Sequence, residues 1–92
     1  MIVRIQGEGQ WEVSGHQIDE LDKIDGQIVD LMGSHDQARF ESLLAQMLDH
    51  VRRNGRKLSE EQLSESDLIL PPADATMDEV KELFSGEGLM SS

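Results

Sequence analysis

The residues best suited to chemistry in this chain are its three histidines and its acidic clusters. His16 and Glu20 stand four residues apart, a spacing that could place two metal ligands on one face of a helix. His35 and His50 fall in other predicted elements, so no second histidine lies near this pair in the sequence. We therefore expect surface histidines at helix ends rather than a metal centre.

Three aspartates, Asp19, Asp22 and Asp25, precede Gly26 and suggest a calcium loop at first sight. An EF-hand loop needs acids at every second position before its glycine, whereas these acids step by three. A step of three is typical of a helix, so the pattern predicts a solvated helix face. Acidic pairs elsewhere would need a pocket that perturbs their pKa values before they could act as acid and base. We expect neither enzyme activity nor a cofactor.

Half of the eight basic charges lie within residues 52–57. They are Arg52, Arg53, Arg56 and Lys57. One interpretation is that they complement the C-terminal end of a helix, where positive charge is favourable. The other is a basic spot that binds an acidic partner surface or nucleic acid. A nucleic-acid reader would normally add stacking aromatic residues, and the chain has only one tryptophan and two phenylalanines.

Charge and length narrow the class of protein. Ninety-two residues predict one domain over residues 1–92, and the net charge of −11 disfavours nucleic acid and anionic lipid as direct ligands. The same charge favours a positively charged protein partner. Since there is no cysteine, no apolar run of about 18 residues and no signal-peptide pattern, we expect a cytoplasmic protein.

The elements that position these residues centre on a helix from Ser34 to Gly55. Its apolar residues recur at steps of three and four, which places them on one stripe. They are Phe40, Leu43, Leu44, Met47, Leu48 and Val51. Ser34 with Gln37 forms a capping box that predicts the start of the helix, and the pair Asn54-Gly55 predicts a left-handed C-cap.

Two further elements precede the central helix. Residues 1–6 and 11–13 read as the strands of an antiparallel hairpin, joined by the glycine-containing turn of residues 7–10. A capping box at Ser14 opens a second helix that ends at Gly33. Its predicted apolar face is Ile18, Leu21, Ile24, Ile28 and Leu31. The short connection predicts that the two helices pack as an antiparallel helical hairpin.

The pattern is weaker after Gly55. Residues 56–58 and 67–70 are candidate short strands, and capping boxes at Ser59 and Thr76 predict a helical turn and a final helix. The inner face of the final helix is Met77, Val80, Leu83 and Phe84. We predict an α+β fold, in which a small antiparallel sheet packs against the helical hairpin with the C-terminal helix closing one side.

Three parts of the chain resemble a known family, the PspA-associated protein PspAA of bacteria and archaea. They are the opening MIVRIQGEGQWEV, the helical pair with its basic end, and residues 66–89, of which DLILPPADAT at 67–76 is the most specific part. The resemblance covers essentially the whole chain. It implies an accessory protein of the phage-shock envelope stress response, whose partner is a PspA-like coiled-coil protein that coats the cytoplasmic membrane. It implies contact with the membrane only through that partner, and no catalytic residues.

Two irregular segments, residues 7–11 and 67–76, are the first candidates for a partner-binding surface. Together with the basic cluster they give a set of candidate contact residues. These are Glu8, Trp11, Arg52, Arg53, Asp67, Pro71, Pro72 and Asp74. The alternatives are that both segments merely connect elements with Trp11 in the core, or that residues 52–57 make the chain a small regulatory nucleic-acid-binding protein.

Overall fold

The computed structural model describes residues 1–31, 33–62 and 65–83. Within them the chain forms a four-stranded sheet and three α-helices, with one short 3-10 helix at Glu60–Gln62. In chain order these are β1 Ile2–Ile5, β2 Gly9–Glu12, α1 Gly15–Leu31, α2 Gln37–Asn54, β3 Arg56–Lys57, β4 Leu68–Leu70 and α3 Met77–Leu83. The predicted roles of Leu63 and of residues 84–90 fall outside the described residues. The predicted α+β fold is confirmed.

The sheet has the strand order β3-β2-β1-β4. β1 and β2 form the predicted antiparallel hairpin, and Gly7 adopts a φ of 84° in the turn between them. β3 extends the hairpin in the antiparallel sense, whereas β4 pairs with β1 in parallel. The sheet is therefore mixed. β3 and β4 lie at opposite edges of the sheet and run in the same direction. The chain therefore crosses the sheet between them.

The central helix supplies most of the core. All six residues of its predicted stripe are at most 1% exposed, which confirms the prediction made from their spacing. They share one hydrophobic core with Val3 and Ile5 of the sheet and with Leu21 and Ile28 of α1, all four of which are fully buried. The helices α1 and α2 pack side by side, as expected for a helical hairpin.

Asp25 departs from the predicted solvated face of α1. Asp19 and Asp22 are exposed, but Asp25 is only 4% exposed, so the prediction is wrong for this residue. Each step of three residues falls about 60° short of a full turn of the helix. Two such steps therefore rotate Asp25 away from the face of Asp19 and toward the core. Asp25 thus lies one turn from both Leu21 and Ile28, which are fully buried.

Two of the predicted helix starts are confirmed by side-chain caps. Ser14 Oγ accepts a hydrogen bond from the Gln17 amide at 3.4 Å, and Thr76 Oγ1 accepts one from the Glu79 amide at 3.2 Å. Each satisfies one of the amide groups that the first turn of a helix leaves unpaired.

The start of α2 was predicted wrongly. Asp36, not Ser34, is the N-cap, and its carboxylate accepts a hydrogen bond from the Arg39 amide at 3.0 Å. Ser34 instead donates its hydroxyl to the Leu31 carbonyl at the end of α1, at 2.8 Å. Ser34 and Asp36 are both good N-cap residues, two positions apart. Because the Ser34 hydroxyl is hydrogen-bonded to the end of α1, Asp36 caps α2.

Gly55 ends α2 in extended backbone rather than in the predicted left-handed conformation, with φ −87° and ψ 160°. The chain enters β3 at the next residue, so it must already be extended here. Glycine is needed for space. A Cβ atom would lie 2.7 Å from the Val51 carbonyl oxygen, 3.0 Å from Trp11 Cβ and 3.2 Å from a methyl carbon of Val13.

Candidate functional site

An ion-pair network joins the hairpin turn to the last turn of α2. Arg52 donates to both carboxylate oxygens of Glu8, at 2.8 and 2.5 Å, and to Asp49 at 2.9 Å. The hydrogen bonds from Arg52 lower the pKa of Glu8, and the same bonds raise the pKa of the guanidinium. Two predicted site residues that are distant in sequence, Glu8 and Arg52, are thus brought into direct contact.

The rest of the basic cluster lies along β3. Arg56 forms an ion pair with Glu12 at 3.5 Å, and the Lys57 ammonium lies 5.2 Å from the centre of the Trp11 ring. Arg53 is exposed and forms no ion pair within the described part of the chain. Two of the four cations are therefore already compensated by acids.

This compensation weighs against nucleic-acid binding. Phosphates would have to compete with Glu8 and Glu12 for Arg52 and Arg56, and the surrounding charge is negative. Trp11 is 5% exposed, so its ring is packed in the core and is not available to stack on a base. The arrangement favours the interpretation in which these cations stabilise the fold.

The segment of residues 67–76 makes several structural contacts. The Asp67 carboxylate accepts a hydrogen bond from the Ile2 amide at 2.7 Å, which extends the pairing of β1 with β4. Pro71 is buried, and Pro72 is half-buried with its carbonyl oxygen accepting the Ala75 amide at 3.0 Å. Asp74 is exposed in the turn that follows. Much of this distinctive segment is thus explained by the fold itself.

The structure does not gather all the candidate residues into one site. Among the described residues, no hydrogen bond or ion pair links Asp67 or Asp74 to Glu8, Arg52 or Arg53.

Ile69 is a surface feature that the sequence reasoning missed. It is 52% exposed, whereas its neighbours Leu68 and Leu70 are buried. Strand alternation places its side chain on the outer face of the sheet, opposite the helices. The apolar run LIL was a signal for a strand, but only pairing with β1 defines which of its residues points outward.

The chain around Ile69 is strongly acidic. Residues 58–80, here called the acidic run, contain seven acids and no lysine or arginine. The acids are Glu60, Glu61, Glu65, Asp67, Asp74, Asp78 and Glu79. Within this run, Ser66 is tied to β2 by the Gln10 side-chain amide, which donates to Ser66 Oγ at 2.9 Å. Counting charges along the sequence could have found it.

In the part of the chain that the structure describes, no three histidine, aspartate or glutamate side chains come together as metal ligands. Of the helices described, none has the length and apolar character required to cross a membrane.

The fold and surface define a small acidic α+β domain whose exterior offers charge and one exposed apolar side chain on the sheet. The chain belongs to the PspAA family: the family model described as PspA-Associated protein matches residues 1–92, its whole length. This match confirms the resemblance seen in the sequence. No curated protein and no solved structure matches the chain.

Proposed function

We propose that this protein is a non-enzymatic adaptor that binds a PspA-type coiled-coil protein in the envelope stress response. Membership of the PspAA family supports an association with PspA. The direct binding, the adaptor role and the absence of catalysis are our proposal. The protein would then work in the cytoplasm, at the inner face of the membrane, through its partner.

The observation that carries this proposal is the exposed Ile69 on the outer face of the sheet, followed and preceded by acids of the acidic run. Exposed apolar side chains rimmed by charge are typical of protein interaction surfaces. Glu65 and Asp67 lie on one side of Ile69 in sequence, and residues 58–80 contain no basic residue, although Arg4 of β1 is the register partner of Ile69.

The charge of this surface selects the kind of partner. A basic stripe on a coiled coil would be attracted over long range, which raises the association rate and excludes acidic competitors. Covering the exposed half of Ile69 would add about 1 kcal/mol, since full burial of such a side chain is worth roughly 1.5–3 kcal/mol. Both contributions to binding, the attraction between charges and the burial of Ile69, are modest, as is typical of a regulatory contact.

Isothermal titration calorimetry with the purified PspA-type protein of the same cell tests the proposal. We expect Ile69→Ser to weaken binding about 5-fold, from the loss of about 1 kcal/mol. Glu65→Lys should weaken binding and reduce its dependence on salt. Because both residues are exposed, neither change should lower the melting temperature appreciably.

Asp22→Lys is the matched control, since it makes the same change of charge at an exposed position on α1, in the helical layer. We expect it to bind within 2-fold of the parent. No measurable heat with the PspA-type protein would overturn the adaptor proposal. Equal weakening by Asp22→Lys and Glu65→Lys would overturn the assignment to the outer face of the sheet.

A further inference from the structure

Arg4 lies on the outer face of the sheet, directly beside Ile69. The two residues are register partners in the parallel pairing of β1 with β4, so their side chains share this face on strands about 4.8 Å apart. On its other side Arg4 is opposite Gln10 of β2, whose side-chain amide donates to Ser66. A partner that covers Ile69 therefore also covers Arg4.

Arg4 is an uncompensated cation within the described part of the chain. It is half-buried and forms no ion pair with any other described residue, although the chain has 19 acids. The Asp67 carboxylate, at the start of the neighbouring strand, instead accepts a hydrogen bond from the Ile2 amide. The guanidinium can therefore pair with a group from another molecule.

A groove of about 830 Å³ opens beside Arg4. Its lining includes Arg4, Gln10 and Leu58, so it is continuous with the face that carries Ile69. Glu8 is the only acid among the described residues of the lining, and both its carboxylate oxygens accept hydrogen bonds from Arg52. A carboxylate that enters from a partner thus reaches the guanidinium without meeting an unpaired acid in the lining.

We propose that Arg4 determines which partner helix this surface accepts, because it requires an acidic side chain next to the apolar one that covers Ile69. This inference rests on the adaptor proposal and deepens it. Covering a guanidinium without a counter-charge removes its water and is strongly unfavourable, which would offset the gain from burying Ile69. A carboxylate compensates the charge and can accept two parallel hydrogen bonds from the guanidinium.

The spacing of Arg4 and Ile69 fits a helical partner. Side chains three or four positions apart on a helix have their Cβ atoms about 5–6 Å apart, close to the distance between neighbouring strands. We therefore expect the partner helix to carry a glutamate or aspartate three or four positions from an exposed apolar residue. The acidic run selects basic residues around this pair, and Arg4 selects the acid within them.

Isothermal titration calorimetry of Arg4→Gln with the purified PspA-type protein tests the inference. We expect binding to be weaker by about 10-fold or more, because a charge-assisted pair is lost. General attraction between an acidic protein and a basic partner predicts the opposite sign, since the variant is more negative than the parent. The direction of the change therefore separates a specific pair from an effect of net charge.

Arg39→Gln is the matched control. It removes an exposed cation on α2 that forms no ion pair with the other described residues, so it should bind as tightly as the parent or slightly more tightly. If Arg4→Gln binds like Arg39→Gln while Ile69→Ser still weakens binding, the inference is overturned and the adaptor proposal stands. No heat with the parent protein overturns the adaptor proposal, and this inference with it.

A charge exchange then identifies the acid on the partner. Each acid of the PspA-type protein that lies three or four positions from an exposed apolar residue is changed to lysine and titrated against the parent and against Arg4→Glu. We expect one lysine variant to lose binding to the parent and to recover it with Arg4→Glu. Recovery also shows that Arg4→Glu is folded. If Arg4→Glu has the melting temperature of the parent and no lysine variant recovers binding, the pairing is overturned.

Discussion

Replacing Gly55 by alanine tests the account of how α2 passes into β3. Its backbone angles are ones that any residue adopts, so the substitution carries no conformational penalty. The cost is steric, because the new methyl group would lie 2.7 Å from the Val51 carbonyl oxygen. That oxygen cannot move away freely, since it accepts the hydrogen bond from the Gly55 amide at 2.8 Å.

The expected magnitude follows from two opposing terms. Overpacking a filled site destabilises the fold by about 1–3 kcal/mol. Replacing glycine restricts the unfolded chain, which stabilises the fold by about 0.4–1 kcal/mol. The net loss in the free energy of unfolding is then about 1–2 kcal/mol. For a domain of this size that lowers the melting temperature by roughly 5–15 °C, which thermal unfolding followed by circular dichroism measures directly.

Gly26→Ala provides the matched control, since the chemical change is the same. Gly26 lies inside α1, and beyond its own stretch of helix backbone no atom lies within 4 Å of the position its Cβ would take. Alanine there should raise the free energy of unfolding by about 0.5–1 kcal/mol through its better helix propensity. If Gly55→Ala proves as stabilising as Gly26→Ala, the described packing of Gly55 is wrong.

Three other perturbations have defined outcomes. Asp36→Ala should lower the free energy of unfolding in urea by about 1 kcal/mol, because it removes the cap of α2. Ser34→Ala should lower it by less. The reverse order would show that Ser34 is the cap. Leu44→Ala should cost about 2–5 kcal/mol, since this side chain is 1% exposed in the core, and a cost below 1 kcal/mol would contradict that burial. Because Arg52 lowers the pKa of Glu8, their pair stabilises the fold at neutral pH and this contribution is lost as the pH falls below the ordinary value of 4.5 toward the lower folded value. Because both side chains are about a third exposed, we expect the ion pair to contribute roughly 0.5–1 kcal/mol to the free energy of unfolding. Glu8→Gln should therefore flatten the dependence of stability on pH in this range. An unchanged pH dependence would refute the role of the pair.

Much of the fold could be predicted because its signals are local. The stripe of α2 follows from the spacing of apolar residues, and every one of its six members is buried. The parallel pairing of β4 could not be predicted in this way. It depends on contact between Val3 and Leu68, which lie far apart in the chain, and three apolar residues do not encode a strand direction.

The surface was harder to predict than the core. Composition suggested that residues 52–57 form a basic spot, but Arg52 is neutralised by Glu8, which comes from the hairpin turn. No local pattern reveals such a pair, because it arises only when the turn docks against the end of a helix. Ile69 was missed for a similar reason, since its exposure depends on which side of β4 meets the helices.

The parallel strand at the edge of the sheet also bears on how this chain folds. The hairpin and the helical pair are stabilised by residues close together in sequence, so they can form early. The free edge of β1 can be covered only after residues 67–70 have been made and have crossed the sheet. During synthesis that edge is therefore the last part of the sheet to be shielded, and we expect a nascent chain ending before residue 67 to be the form most prone to aggregate.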